Sequence, residues 1–173
     1  LIERHYGAAS RFNPINIVAF LQRIETDLMR LKPVFEEAAR RHLLDWRLLA
    51  ARRFLREYDE AFEGGRAGSA ADAAQRAAGL LEQVETASPG DEIASRLLPH
   101  AETACAAALL KRAGDLLREA KDDEATSFCD RAKPWLEKAK TRKLDQGARD
   151  YLTQGWLRLG ALQMSLGDRL KEK

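Results

Sequence analysis

Alanine and leucine dominate this chain: 29 Ala and 25 Leu in 173 residues, against 3 Val and 5 Ile. Ala and Leu lose least on entering a helix, whereas β-branched side chains lose χ1 freedom there and favour strands. That bias restricts the chain to an all-α fold, and no run alternates with the period of two that a half-buried strand would need. With 45% apolar and 32% charged residues, it can bury a core large enough to offset its ordering entropy. No stretch approaches the ~20 apolar residues of a membrane span. Six or seven helices are expected, packed as hairpins or a bundle.

Local signals place them. Asn13-Pro14 reads as a helix start, followed by Ile17, Phe20, Leu21, Ile24, Leu28 and Leu31 on one apolar face. Pro33 stops or restarts it, and Val34, Phe35, Ala38 and Ala39 begin a short second helix to about His42. Asp45 is an expected N-cap for a third, which carries Trp46, Leu48, Leu49, Phe54, Leu55, Tyr58 and Phe62. The run Gly64-Gly65-Arg66-Ala67-Gly68-Ser69 is the clearest break. It predicts a helical segment over 1–63, a linker over 64–69 and an Ala/Leu-rich hairpin domain over 70–173. Beyond it, helices are expected over 70–86, from 91 to about 120 with a bend at Pro99, from about 122 to 140 with an interruption at Pro134, and from about 145 to 171. Ser88 is the expected cap before Pro89.

The formal charge of +2 is close to balance, so no basic excess points to nucleic acid. Cys105 and Cys129 form no C-x-x-C pair, and His5, His42 and His100 form no H-x-x-x-H pair, so neither a disulfide framework nor a metal site is expected. No serine stands in a G-x-S-x-G context and no Gly-rich loop continues into Gly-Lys-Ser/Thr, so no cofactor is expected. Trp46, Trp135 and Trp156 sit at helical apolar positions and read as core anchors.

Near the C-terminus, Trp156-Leu157-Arg158-Leu159-Gly160 followed by Gly167 matches the opening helix of a tetratricopeptide repeat. In that pattern Gly160 admits a close partner helix, Leu159 fills the groove between the two, and Gly167 makes a turn. Ala113, Ala125 and Ala132 carry the same small-residue spacing upstream, but further away than one such repeat of about 34 residues. The chain ends before a second helix of that last unit could form. A generic stack of α-hairpins is the preferred reading, and both imply a protein-binding surface in which Trp156 and Leu159 line a groove.

The first fifty residues carry a different signal. Phe20-Leu21-Gln22-Arg23-Ile24-Glu25-Thr26-Asp27-Leu28, then Lys32-Pro33-Val34-Phe35-Glu36-Glu37-Ala38-Ala39, then Leu44-Asp45-Trp46-Arg47-Leu48-Leu49-Ala50-Ala51 resembles the membrane-bound lytic murein transglycosylases of the F type. Leu1 to Gly7 resembles the end of the module that precedes the catalytic domain in that family. The resemblance implies a place in the periplasm or cell envelope and peptidoglycan as partner. It covers about residues 1–51. Since the chain begins at Leu1 rather than Met, it is expected to be processed or part of something longer, with any membrane association through an upstream segment.

The family's chemistry requires a glutamate followed by serine about one and a half turns beyond the Ala-Ala. As general acid and then base, that carboxyl cleaves the glycosidic bond, and it must be partly buried to stay protonated near neutral pH. Here Arg56 takes the glutamate position and Glu57 the serine position. Glu57 is the one substitute candidate. One residue along a helix turns a side chain by ~100°, off the cleft-facing side. Arg53 and Arg56 beside it are expected to lower its pKa. The chain therefore reads as leaning away from enzyme activity. Arg40, Arg41, Arg47, Arg52, Arg53 and Arg56 form an arginine-rich stretch in which Arg47, Arg52, Arg53 and Arg56 are the candidate contacts to an anionic partner. A solvated helix face, partly neutralised by Glu36, Glu37, Glu57 and Glu60, is the preferred reading of that stretch. Two functions follow: a peptidoglycan-associated relative of the transglycosylases, or a non-enzymatic helical scaffold for a protein partner.

Overall fold

The computed structural model describes residues 19, 21–26 and 36–171. The expected helix start at Asn13-Pro14, the break at Pro33 and the start at Val34-Phe35 lie outside the described residues. Among the described residues the chain is all-α. A short helical segment spans 21–26, followed by α1 (Glu36–Glu63), α2 (Ala67–Ala87), α3 (Glu92–Arg118), α4 (Asp122–Lys140) and α5 (Gln146–Lys171). Connections of three to five residues force each helix to run antiparallel to the one before it. The pairs α1/α2, α2/α3 and α3/α4 pack along their lengths, and α5 lies across both α3 and α4.

Helix α1 is longer than the sequence suggested. Asp45 caps nothing; it sits exposed inside one continuous helix, in place of the two expected on either side of it. Nothing between His42 and Asp45 breaks a helix. An interior Asp costs only about 0.6 kcal/mol relative to Ala. Burial of Trp46 and Leu48 next to it outweighs that.

The turns are set by local chemistry. The Gly-rich run is a helix-ending turn: Gly65 adopts φ +74°, and the Arg66 N–H donates back to Ala61 O at 2.8 Å. Helix α2 starts at Ala67, inside the stretch expected as linker. Ser88 closes α2 rather than opening α3. The N-cap of α3 is Asp91, whose Oδ1 accepts from Ile93 N at 3.0 Å and Ala94 N at 2.8 Å. Pro134, expected to interrupt its helix, lies within continuous α4. The carbonyl it leaves without a donor belongs to exposed Asp130, so solvent can satisfy it.

Helix α3 occupies the centre. Fifteen of its residues are buried, spread around its circumference, as expected of a helix covered on all sides. Its Ala101, Ala104, Cys105 and Ala108 meet the alanine face of α2, where Ala70, Ala74, Ala77 and Ala78 are fully buried. Two apolar clusters run through this stack. One joins Tyr58 and Ala61 of α1 to Ala70–Ala74, to α3 and α4, and to Leu152, Leu159 and Leu166 of α5. The other joins Trp46, Phe54 and Leu55 to Leu81, Val84 and Leu98, with Leu21 of the 21–26 segment. Both cross the turn at 64–66, so the chain on either side of it shares its cores.

Below the apolar layers lies one buried charge network. Glu102 of α3 is 0% exposed, and its Oε1 accepts from Arg142 at 3.0 and 3.3 Å, while Arg142 also donates to Glu85 Oε2 at 2.6 Å. Lys138 pairs with Glu82 at 2.8 Å beside it. Arg142 begins the turn into α5, so this cluster pins that turn to α2 and α3.

The C-terminal repeat pattern is only partly realised. Leu159 is buried in the core. A Cβ at Gly160 would meet nothing within 4 Å, so Gly160 admits no close neighbour, and Gly167 makes no turn but continues α5. The glycine at a close approach is Gly155, where a Cβ would stand 2.7 Å from Leu136 Cδ2 of α4. Gly160→Ala is therefore expected to stabilise the protein by about 0.5–1 kcal/mol through helix propensity alone, read as a raised midpoint in urea denaturation. A lower midpoint would restore the close-approach role.

Candidate functional site

The sequence places its candidate residues on α1 and α5, and the structure separates them. Arg47 turns inward: its side chain is 13% exposed and donates to Glu25 Oε1 at 2.9 Å, tying the 21–26 segment to α1. Arg52, Arg53 and Arg56 are exposed, and Arg53 lies 3.8 Å from Glu57. Trp156 is half-buried against the core, and Leu159 is covered entirely by packing.

Glu57 departs from expectation in one respect. Its carboxyl is raised, not lowered, relative to its ordinary value: partial burial pushes it up more strongly than the neighbouring Arg53 pulls it down. Glu60 adds to the rise, and Arg76 of α2 opposes it. The sequence could count the arginines but could not show that α2 shields this side of α1. Neither Glu57 nor Arg56 is among the residues that line the cleft between α1 and α5.

The cleft lies one residue further round the helix. Tyr58, Asp59, Phe62 and Glu63 of α1 form one wall, and Tyr151, Gln154, Gly155 and Arg158 of α5 form the other. His100, Thr103, Ala104, Ala107 and Leu110 of α3 form the floor of this 350 Å³ space. Tyr58 and Phe62 stack at 5.3 Å between centroids, and His100 meets Tyr151 edge-on at 6.5 Å. Lys111 Nζ donates to Phe62 O at 2.7 Å and sits 4.5 Å above its ring, fixing the end of α1 against α3. Burial raises the Tyr58 hydroxyl well above its ordinary range, so it stays neutral.

The carboxyls of this cleft, Asp59 and Glu63, are exposed. Among the described residues the fully buried carboxyl is Glu102, next along α3 from the cleft residue Thr103 but paired with Arg142. Among the described residues, no three His, Cys, Asp or Glu side chains are placed to hold a metal ion. Cys105 and Cys129 are buried free thiols, and burial pushes Cys105 up to about 12, which leaves it unreactive. Among the described residues no helix is long and apolar enough to cross a membrane. The sequence reading missed Asp59, Glu63 and Tyr151 as cleft residues. Only the docking of α5 beside α1 across α3 brings them together, and no local motif signals it.

No protein-family model matches the chain, and no solved structure matches it. Curated relatives do, over part of it. The chain is 49% identical over 51 residues to a membrane-bound lytic murein transglycosylase F of Methylobacillus flagellatus, covering 30% of this chain and 11% of the relative. It is 41% identical over 51 residues to the protein of that name in Desulfosudis oleivorans, again 30% and 11%. The corresponding figure for transglycosylase F 1 of Alkalilimnicola ehrlichii is 43%, covering 30% and 10%. The chain thus spans about a tenth of the length of the curated relatives it matches. Over a 51-residue segment, it is similar to the membrane-bound lytic murein transglycosylases of the F type.

Proposed function

We propose that this chain is a peptidoglycan-associated helical protein of the cell envelope, related to lytic murein transglycosylases but without a catalytic glutamate of its own. The observation that carries the reading is the pairing of the 51-residue likeness with an exposed arginine, Arg56, where the general acid would stand. Glu57, the neighbouring carboxyl, lies outside the cleft and beside Arg53. A transglycosylase needs a protonated, partly desolvated carboxyl at the scissile oxygen, and the cleft beside Tyr58 offers only solvated ones.

The test is a digest of purified peptidoglycan, with soluble products read by mass spectrometry and bound protein read by sedimentation with sacculi. The expected result is no anhydro-muropeptide above the buffer blank and co-sedimentation of the protein. Anhydro-muropeptides that vanish in Glu57→Gln would overturn the non-catalytic reading, and loss of sedimentation would overturn the association.

A second reading, an interaction scaffold for a protein partner, is favoured by α5. Leu157 is 70% and Met164 68% exposed, seven residues apart on the outer face of that helix. Exposed large apolar side chains at that spacing suit a helix-on-helix contact.

A further inference from the structure

We infer that α5 pairs with α5 of a second copy of this chain, antiparallel about a two-fold axis that passes between Gly160 and Ala161. This deepens the reading of α5 as a contact face and rests on it.

The outer face of the helix carries the inference. At ~100° per residue, positions three, seven and ten before Gly160, and three, seven and ten after Ala161, return to one line along α5. They are Leu157, Thr153 and Asp150 on one side and Met164, Asp168 and Lys171 on the other, and all six are exposed. Gly160 and Ala161 stand between them, and nothing lies within 4 Å of where a Gly160 Cβ would be. Leu152, Leu159 and Leu166 occupy the opposite side of the helix and are buried in the core that α3 and α4 share. Those two helices therefore stand behind the outer face, not in front of it.

The order of the residues selects the partner. A two-fold axis brings together positions equally distant from it. Leu157 then meets Met164 of the second copy, Thr153 meets Asp168, and Asp150 meets Lys171, and each pairing occurs twice. The small Gly160 and Ala161 at the centre fill little space, so the longer apolar side chains on either side can reach across. Both end charges are available for this. Lys171 lies 3.7 Å from its own Asp168, with both side chains largely exposed, and a Gln146 amide engages only one of the two oxygens of Asp150. The parallel alternative sets Asp150 on Asp150, Asp168 on Asp168 and Lys171 on Lys171, which repels at every charged position. The face thus complements itself in one direction only. Antiparallel helices also place the positive end of one macrodipole beside the negative end of the other. The contact is one helix wide and about 30 Å long, at ~1.5 Å per residue, which places it among the small, weak interfaces. The dimer is expected to form across the micromolar range.

The experiment is sedimentation equilibrium of the full chain from micromolar to near-millimolar concentration, at low salt. The expected result is a monomer that passes to a dimer as concentration rises. Leu157→Glu should weaken the dimer by at least about tenfold, because it sets a charge against Met164. Asp150→Lys should weaken it several-fold by facing Lys171, and adding Lys171→Asp should restore most of the loss. All three positions are exposed, so the variants are expected to fold, and circular dichroism checks it. A chain that stays monomeric throughout, or a dimer that Leu157→Glu leaves unchanged, overturns the inference. A dimer that the charge exchange fails to restore overturns the antiparallel register stated here. Capture from an envelope lysate on immobilised chain separates this from the scaffold reading. A monomer that captures a protein only when Leu157 is intact keeps the contact face and loses the second copy. A monomer that captures none loses both.

Discussion

Replacing Trp46 by alanine is expected to lower the stability of the whole chain by about 3–5 kcal/mol, on the order of 10 °C in Tm. Trp46 is 2% exposed and belongs to a cluster drawn from α1, α2, α3 and the 21–26 segment. Its removal leaves a cavity that the surrounding alanines cannot close, because their side chains have no rotamers with which to collapse. The measurement is guanidinium denaturation followed by circular dichroism. One transition, displaced as a unit, is the expected form, because the clusters cross the turn at 64–66. A second transition left in its wild-type position would mark residues 70–173 as an independent unit. The experiment also bears on the transglycosylase-like segment, since it measures how firmly that segment is built into the rest of the chain.

Arg142→Met should be almost as damaging, at about 3 kcal/mol near neutral pH. It leaves Glu102, fully buried, with no compensating cation on Oε1, while Oε2 already has no hydrogen-bond partner. Arg142 is itself 26% exposed, which puts the loss at the low end of what breaking a buried pair causes. The effect carries a pH signature. Burial raises the Glu102 carboxyl above its ordinary 4.5, and the hydrogen bond and charge of Arg142 oppose the rise. A carboxyl raised in the folded state binds its proton more tightly there than in the unfolded chain. Its contribution to stability is therefore greatest at low pH and falls as pH climbs from 4.5 through the folded value. Without Arg142 that folded value lies higher still. The deficit of Arg142→Met against the wild type should thus close as pH is lowered toward 4.5, read in urea titrations at a series of pH values. A deficit independent of pH would mean that the lost packing of Arg142, not the stranded carboxylate, dominates. The double variant Glu102→Met with Arg142→Met should recover most of the loss, because an apolar pair of similar volume needs no desolvated charge.

Much of this protein was legible one residue at a time. The excess of Ala and Leu over Val and Ile dictated helices, since propensity acts locally and sums along the chain. The broad apolar face bearing Trp46, Leu48, Phe54, Leu55 and Tyr58 was visible in the sequence, and those residues are buried. The break at Gly64-Gly65 was visible because a left-handed turn needs glycine.

Tertiary structure decided the rest. Whether His42 to Asp45 would end a helix depended on the burial gained by Trp46 and Leu48, which a propensity cannot weigh. The direction in which the Glu57 carboxyl shifts depended on shielding by a neighbouring helix rather than on the arginines of its own. Glu102 reads in the sequence as one more surface acid on an alanine-rich helix. Only the coverage of α3 on all sides buries it, and only the turn after α4 returns Arg142 to meet it. The cleft has the same origin: Asp59 and Arg158 stand 99 positions apart in the chain (158 − 59), and no periodic pattern links them. Periodicity fixes which face of a helix is apolar. Which two faces then meet is fixed by loop lengths and side-chain fit across the whole stack, and the polar residues at the edges of those contacts become the site.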